Sequence, residues 1–293
     1  MMKCGFVALV GRPNVGKSTL LNRLVGQKVS IVSRKPQTTR MPIKGILSTP
    51  EAQFIFVDTP GYQTRYGAPL NRAMNRSVGC TLNEVHAVLF VVEMGRWDSA
   101  DEQILTLIEP SIPIILVVNK IDRFSDRLGQ IAYLQKRAET KRFGALVPIS
   151  AYHDHQFSGL LKEVGKLLPE SSELFSPDEV TDSPVRFLVA EFIREGLFRL
   201  LGEELPYQTM VLVEGYREEQ NIVHINATII VNQANQKSIV IGKGGAKLKD
   251  IGTHARCEIE HLIGKKVFLE LWVKVKKNWS DNERFLREMG YGL

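Results

Sequence analysis

Cysteine is scarce in this chain. Only Cys4, Cys80 and Cys257 occur among 293 residues, at spacings that fit neither a zinc site nor a disulfide framework, so a reducing compartment is expected. Long apolar runs are missing too. The longest, residues 87–92 and 112–118, have the length of a buried strand and fall far short of the roughly 20 residues a membrane helix needs. Residues 1–5 lead straight into an apolar run, so no signal peptide is expected. Internal repeats and low-complexity tracts are absent as well. What is left is a soluble, cytoplasmic protein, and 293 residues suffice for two domains with substantial cores.

Charge is unevenly placed. The net charge is +6, yet residues 179–236 hold 4 basic and 9 acidic groups, and residues 237–277 hold 10 basic against 4 acidic. A basic block of this kind is a candidate footprint for nucleic acid, although a solvated charged face is the commoner cause.

Two grammars follow one another along the chain. Near-continuous apolar runs at 5–10, 54–57, 86–92, 112–118 and 146–149 read as buried parallel strands. Helical patterns at 18–25, 101–109, 128–141 and 159–168 alternate with them, which indicates an α/β sheet with helices on both faces. Residues 28–49 and 61–78 are polar and marked by Gly or Pro, and are expected as loops. After a polar, proline-punctuated linker at 172–183, the pattern becomes helix (187–201), two strands (208–216 and 221–231), helix–turn–helix (239–263), strand (267–275) and a final helix (279–290) capped by Ser280 or Asp281.

The first strand runs into Gly11-Arg12-Pro13-Asn14-Val15-Gly16-Lys17-Ser18-Thr19, the spacing of a phosphate-wrapping loop. Gly11 and Gly16 let successive N–H groups face an anion, Lys17 adds a point charge for the β/γ-phosphates, and the Ser18 hydroxyl suits magnesium. Asp58-Thr59-Pro60-Gly61 ends the second apolar run; Asp58 would hold magnesium through water and the Gly61 N–H would sense the γ-phosphate. Asn119-Lys120-Ile121-Asp122 offers a carboxylate that can accept two hydrogen bonds from guanine, Lys120 to lie over the base, and Asn119 to tie the loops together. Ile149-Ser150-Ala151 offers a backbone N–H for the guanine oxygen, and Thr38 or Thr39 a hydroxyl for magnesium. The set, in order at strand ends, is a GTP site. Tyr62 occupies the place after Asp-x-x-Gly where Ras-like enzymes carry a glutamine, with Gln63 beside it, so slow hydrolysis is expected.

The wording of 11–18, 36–40 and 58–61 resembles the bacterial Era family of GTPases. The resemblance implies Thr39 as the metal and switch residue and Lys17, Thr39 and Gly61 as the catalytic set. Related GTPases without the glutamine use potassium beside the phosphates, held partly by an asparagine that matches Asn14.

Within the basic block, Gly242-Lys243-Gly244-Gly245 forms a Gly-x-x-Gly loop, with Lys243, Lys247 and Lys249 supplying charge to a close-lying RNA backbone. The order of strands, loop, helix and terminal strand resembles a bacterial, type II KH domain. Glu203 to Tyr207, Ile241 to Gly252 and Leu269 to Val275 again carry Era-like wording. The expected architecture is therefore an α/β P-loop GTPase domain (1–171), a linker (172–183) and an α+β KH domain (184–293). The resemblance implies a monomeric GTPase that binds the 3′ end region of small-subunit ribosomal RNA and assists assembly of the small ribosomal subunit. Another RNA, such as tRNA, is the alternative. Peripheral attachment at the inner membrane has no basic amphipathic helix to support it. A tRNA-modifying GTPase would bring a C-terminal reactive cysteine, and Cys257 lies mid-domain. His153-Asp154-His155 is expected as a solvated loop rather than a metal site, and Trp272 as packing under the final helix rather than stacking a base.

Overall fold

The computed structural model describes residues 2–62, 69–140, 142–153, 157–202 and 204–291. Among these, residues 2–30, 39–62 and 71–182 form one compact unit, and residues 31–38, 69–70 and 183–291 form a second.

The first unit contains β1 (Met2–Val10), α1 (Lys17–Val25), β2 (Ile43–Ser48), β3 (Ala52–Asp58), α2 (Pro69–Leu82), β4 (Ala87–Glu93), α3 (Ser99–Thr106), β5 (Ile114–Asn119), α4 (Arg127–Ala138), β6 (Ala145–Pro148), α5 (Phe157–Leu167) and β7 (Glu170–Ser171). The sheet runs β2-β3-β1-β4-β5-β6, with β1, β3, β4, β5 and β6 parallel. The central strands read as uninterrupted apolar runs because both their faces are covered. On one face, Val78 and Leu82 of α2 and Ile104 of α3 pack with Ala8, Val10, Phe90 and Leu116. The register Gly45↔Phe56↔Val7 marks the other face. There α1 lies so close to β2 that a Cβ on Gly45 would sit 2.6 Å from Leu21.

Two expectations are corrected here. The region 28–49 is not all loop, since β2 pairs antiparallel with β3 at the sheet edge; as a short edge strand carrying Lys44 and Gly45 it has no apolar run to announce it. Of the other expected loop, 61–78, residues 69–78 belong to α2, whose buried Ala73, Met74, Val78 and Leu82 keep helical spacing, and residues 63–68 lie outside the described residues. The stretch expected as a linker, 172–183, runs along the first sheet. Gln53 Oε1 accepts from the N–H groups of Leu174 and Phe175, Ile46 N–H donates to Val180 O, and Lys44 pairs with Asp182 at 2.6 Å. Its backbone polar groups thus find partners in β2 and β3, which a free linker would leave to water.

The second unit contains α6 (Val185–Leu200), β8 (Thr209–Glu218), β9 (Ile222–Val231), α7 (Ala234–Ile241), α8 (Ala246–Ile263), β10 (Lys266–Val275) and α9 (Glu283–Glu288). Its sheet is β10-β9-β8, with β9 and β10 parallel and β8 antiparallel to β9. Val189, Phe192, Ile193 and Leu197 of α6 and Ile251, Ala255 and Ile259 of α8 close its core over one sheet face. Ile31 is buried in this same core, so the segment Ile31–Thr38 belongs to the second unit despite its place in the sequence. Asn282, not Ser280 or Asp281, caps α9 by accepting from Phe285 N–H at 2.9 Å. The packing expected of Trp272 is corrected as well. Trp272 is 57% exposed on the sheet face away from the core, and Trp279 is the fully buried indole, donating to Gln208 O at 3.1 Å. Among the described residues no helix is long and apolar enough to cross a membrane.

Candidate functional site

Because the connection from β1 goes to one side of the sheet and the next leads to β4 on the other, a crevice opens at the C-terminal end of β1. The phosphate-type loop occupies it. Only glycine fits at its two ends: a Cβ on Gly11 would lie 2.2 Å from Val91 O, and one on Gly16, at φ 104°, 2.2 Å from Asn119 Nδ2. Lys17 Nζ reaches back across the loop to the carbonyls of Gly11 and Arg12, both at 2.9 Å. Burial pushes the Lys17 ammonium down to about 8, with the nearby Asp58 carboxylate opposing that shift. The N-terminus of α1 opens directly behind it, at Gly16. Arg12 points its guanidinium elsewhere. Nε donates to Asp101 (2.7 Å) and Nη1 to Asp98 (2.6 Å), locking the loop onto the capping box of α3, so only its backbone faces the crevice. Asn14 takes a left-handed conformation, φ 65°.

Asp58, at the end of β3, is the hub of the polar cluster. Its Oδ2 accepts from Ser18 (2.6 Å), Ser30 (2.9 Å) and Thr39 (3.3 Å), and Ser18 and Thr39 lie 3.0 Å apart. Burial raises the Asp58 carboxyl, and Lys17 and the three hydroxyls pull the other way. Its second oxygen, Oδ1, is buried with no hydrogen-bond partner. Hydroxyls and a carboxylate make an all-oxygen set of the kind a magnesium ion takes, and Oδ1 keeps acceptor capacity for a further donor. Of the two threonines offered by the sequence, Thr39 joins this cluster, while Thr38 Oγ1 donates to Lys35 O at 2.8 Å. Thr59 is turned inward, donating to Leu9 O at 2.8 Å, and Gly61 packs on the phosphate loop, its missing Cβ 2.8 Å from Pro13. Tyr62 packs against the sheet's core, and Gln63 lies outside the described residues.

At the ends of β5 and β6, Asn119 holds the third part of the crevice together. Nδ2 donates to Val15 O at 2.8 Å, and Oδ1 accepts from Lys120 N–H and Ala151 N–H. The Ala151 amide, in the stretch expected to offer a backbone N–H to a guanine oxygen, braces the loop here. Ser150 Oγ donates to Asp122 Oδ1 at 2.5 Å, fixing the carboxylate that sequence assigns to the base.

In the second unit, α7 ends at Gly242 and α8 begins after Gly245. Gly242, Gly244 and Gly245 have φ of 74°, 59° and 82°, and nothing lies within 4 Å of where a Cβ on Gly244 or Gly245 would be. Lys243, Gly244 and Lys249 are exposed and Lys247 half-buried. From this loop a groove of about 370 Å³ follows α8 to β10, lined by Gly245, Lys249, Thr253, Arg256, Leu269 and Leu271 among others.

Comparison with known proteins gives these two units their names. The family described as 50S ribosome-binding GTPase matches residues 6–120, and the KH domain family matches residues 204–280. GTPase Era of Nitrosomonas eutropha is 49% identical over 289 residues, covering 99% of this chain and 98% of that protein. GTPase Era of Stenotrophomonas maltophilia is 50% identical over 289 residues, covering 98% and 97%. The chain belongs to the Era family of GTPases. A crystal structure of Era in complex with MgGDPNP and nucleotides 1506-1542 of 16S ribosomal RNA superposes with a TM-score of 0.95 at 40% identity, covering all of both chains. A variant of Aquifex aeolicus Era bound to GDP.AlF4- superposes equally well, at the same identity and coverage.

For this Era family member, sequence reasoning missed Ser30, Glu93 and Arg256. Ser30 is fully buried on Asp58, held by Asn22, whose side chain accepts from Val29 N–H and Ser30 N–H. Glu93 pairs with Lys120 at 3.0 Å. The only signal for these two was their nearness to the motifs. Arg256 stood in the basic block and could have been found by its place nearly three turns into α8, where it lines the groove that starts at the loop.

Proposed function

We propose that this chain is a GTP-hydrolysing switch whose KH unit binds the 3′ end region of small-subunit ribosomal RNA and assists assembly of the small subunit. The observation that carries the nucleotide half is the Asp58 cluster joined through Lys17 and Asn119 to Asp122, the two ends of one guanine nucleotide. The RNA half is supported by the left-handed glycine loop opening the long helix α8, whose N–H groups and dipole suit phosphate. It is supported too by the relative crystallised with 16S ribosomal RNA.

Ser18 and Thr39 would ligate magnesium directly and Asp58 through water. When bound, the ion neutralises charge on the β- and γ-phosphates. Lys17 would exchange its two carbonyl partners for phosphate oxygens, the Gly61 N–H would meet the γ-phosphate, and Asp122 would accept the ring N–H and amine of guanine. No described side chain is placed as a general base, and Tyr62 is packed away. Turnover in this reading is slow and rises with a partner or with potassium held by Asn14; equal rates in sodium and potassium would remove the potassium part.

The test is binding of an oligonucleotide copying the 3′ end of 16S ribosomal RNA, with tRNA as competitor, in magnesium and a non-hydrolysable GTP analogue. The proposal expects the 16S segment to bind more tightly than tRNA. Equal or tighter binding of tRNA would replace ribosome assembly with another RNA task.

A further inference from the structure

Glu195 of α6 and His254 and Glu258 of α8 bring one ligand-type atom each within 4.8 Å of one another. We propose that these three side chains form a site for a divalent ion of the zinc class, independent of the nucleotide site. His254 and Glu258 are four residues apart on one helix, which places both on the same face. Glu195 approaches from the helix packed against it. The crossing is close and fixed: one residue on, a Cβ at Gly196 would lie 3.3 Å from Ile251 Cγ2 and from Ile251 O, one turn before His254.

The imidazole geometry points to a metal rather than to a hydrogen bond. His254 Nε2 is buried with no hydrogen-bond partner, and it stands 3.7 Å from Glu195 Oε2. That is too long for a hydrogen bond. It is close to the separation, about 3.4 Å, of two ligands on a tetrahedral zinc with bonds of about 2.1 Å. One imidazole with two carboxylates suits zinc-class ions, whereas magnesium and calcium take oxygen throughout. Glu195 is 6% exposed, and His254 and Glu258 are half-buried, so the remaining coordination positions open to water. The other oxygen of Glu195, Oε1, accepts from Val32 N–H at 3.0 Å. An ion on Oε2 would therefore also fix the carboxylate that anchors the segment Ile31–Thr38.

Cobalt(II) tests this in the full-length protein saturated with GDP and magnesium, which keeps the Asp58 cluster filled. One equivalent should bind at micromolar concentration, with the visible absorption of a low-coordinate nitrogen–oxygen site, and zinc should displace it. His254→Ala and Glu258→Gln should each weaken binding at least tenfold. Glu258→Gln keeps its volume, and an unchanged circular dichroism spectrum and GDP affinity would show that its loss of cobalt is not misfolding. Failure of cobalt and zinc to bind at about 100 μM, or wild-type binding in either variant, would overturn the site.

Discussion

In the first unit a single carboxylate oxygen of the buried Asp58 gathers three hydroxyls; in the second, nothing lies within 4 Å of where a Cβ on Gly244 or Gly245 would be. The first arrangement is held by contacts within the protein. Gly11, Gly16 and Gly61 are there because another atom fills the space a side chain would take, and Asp58 Oδ2 and Asn119 are each braced by several partners. Such a site can discriminate between bases, since a misplaced group leaves a buried partner unsatisfied. The second arrangement works by openness. RNA phosphate can approach because side chains are missing and because Lys243, Lys249 and Arg256 are near. Substitutions should therefore act through geometry in the first unit and through charge in the second.

The largest effect is expected from Gly16→Ala. The new methyl would meet Asn119 Nδ2 in a left-handed conformation, where strain alone costs about 1–3 kcal/mol, so GTP affinity by calorimetry should fall at least about 100-fold. Near wild-type affinity would mean the loop is less fixed than its contacts imply.

Asp122→Asn comes next. Charge-assisted hydrogen bonds contribute roughly 1.5–3 kcal/mol each, so GTP should bind about 10- to 100-fold more weakly and xanthosine triphosphate should gain. Retention of guanine preference would show that Asp122 does not read the base.

On the RNA side, Arg256→Gln should lower affinity several-fold and similarly for all sequences. It should also reduce the slope of log affinity against log salt by about 0.7–1. An unchanged slope would take Arg256 out of the phosphate contacts.

Ser30→Ala should have the smallest effect. One neutral hydrogen bond is worth about 0.5–1.5 kcal/mol, so GTP affinity in magnesium should fall about two- to tenfold with RNA binding unaltered. A loss as large as that of Gly16→Ala would make Ser30 a principal ligand rather than a brace of Asp58.

The residues proposed to face the nucleotide were legible because their chemistry demands particular types at strand ends: glycine where backbone must approach, lysine, serine and aspartate at the phosphates. Their supports were not. Ser30 lies in a stretch with no periodicity, and nothing in the spacing showed that the Arg12 guanidinium serves Asp98 and Asp101. β2 was hidden because Lys44 and Gly45 interrupt its apolar residues, although Ile43 and Ile46 are buried. α2 was hidden by its polar residues, though Ala73, Met74, Val78 and Leu82 kept the helical period. Trp272 alternates with Glu270 and Lys274, which is the pattern of an outward position; Trp279, beyond the strand, carried no pattern at all. That Ile31–Thr38 joins the second unit's core depends on long-range packing that no local spacing encodes.

Gly244→Asp tests the contrast most directly. Gly244 has φ of 59°, a conformation aspartate tolerates better than most residues, and the position is open. One folded variant is assayed twice, for binding of the 16S 3′ segment and for binding of GTP. The account predicts at least a tenfold loss of RNA affinity with GTP affinity and basal hydrolysis unchanged and the circular dichroism spectrum intact. Wild-type RNA binding in the folded variant would contradict it.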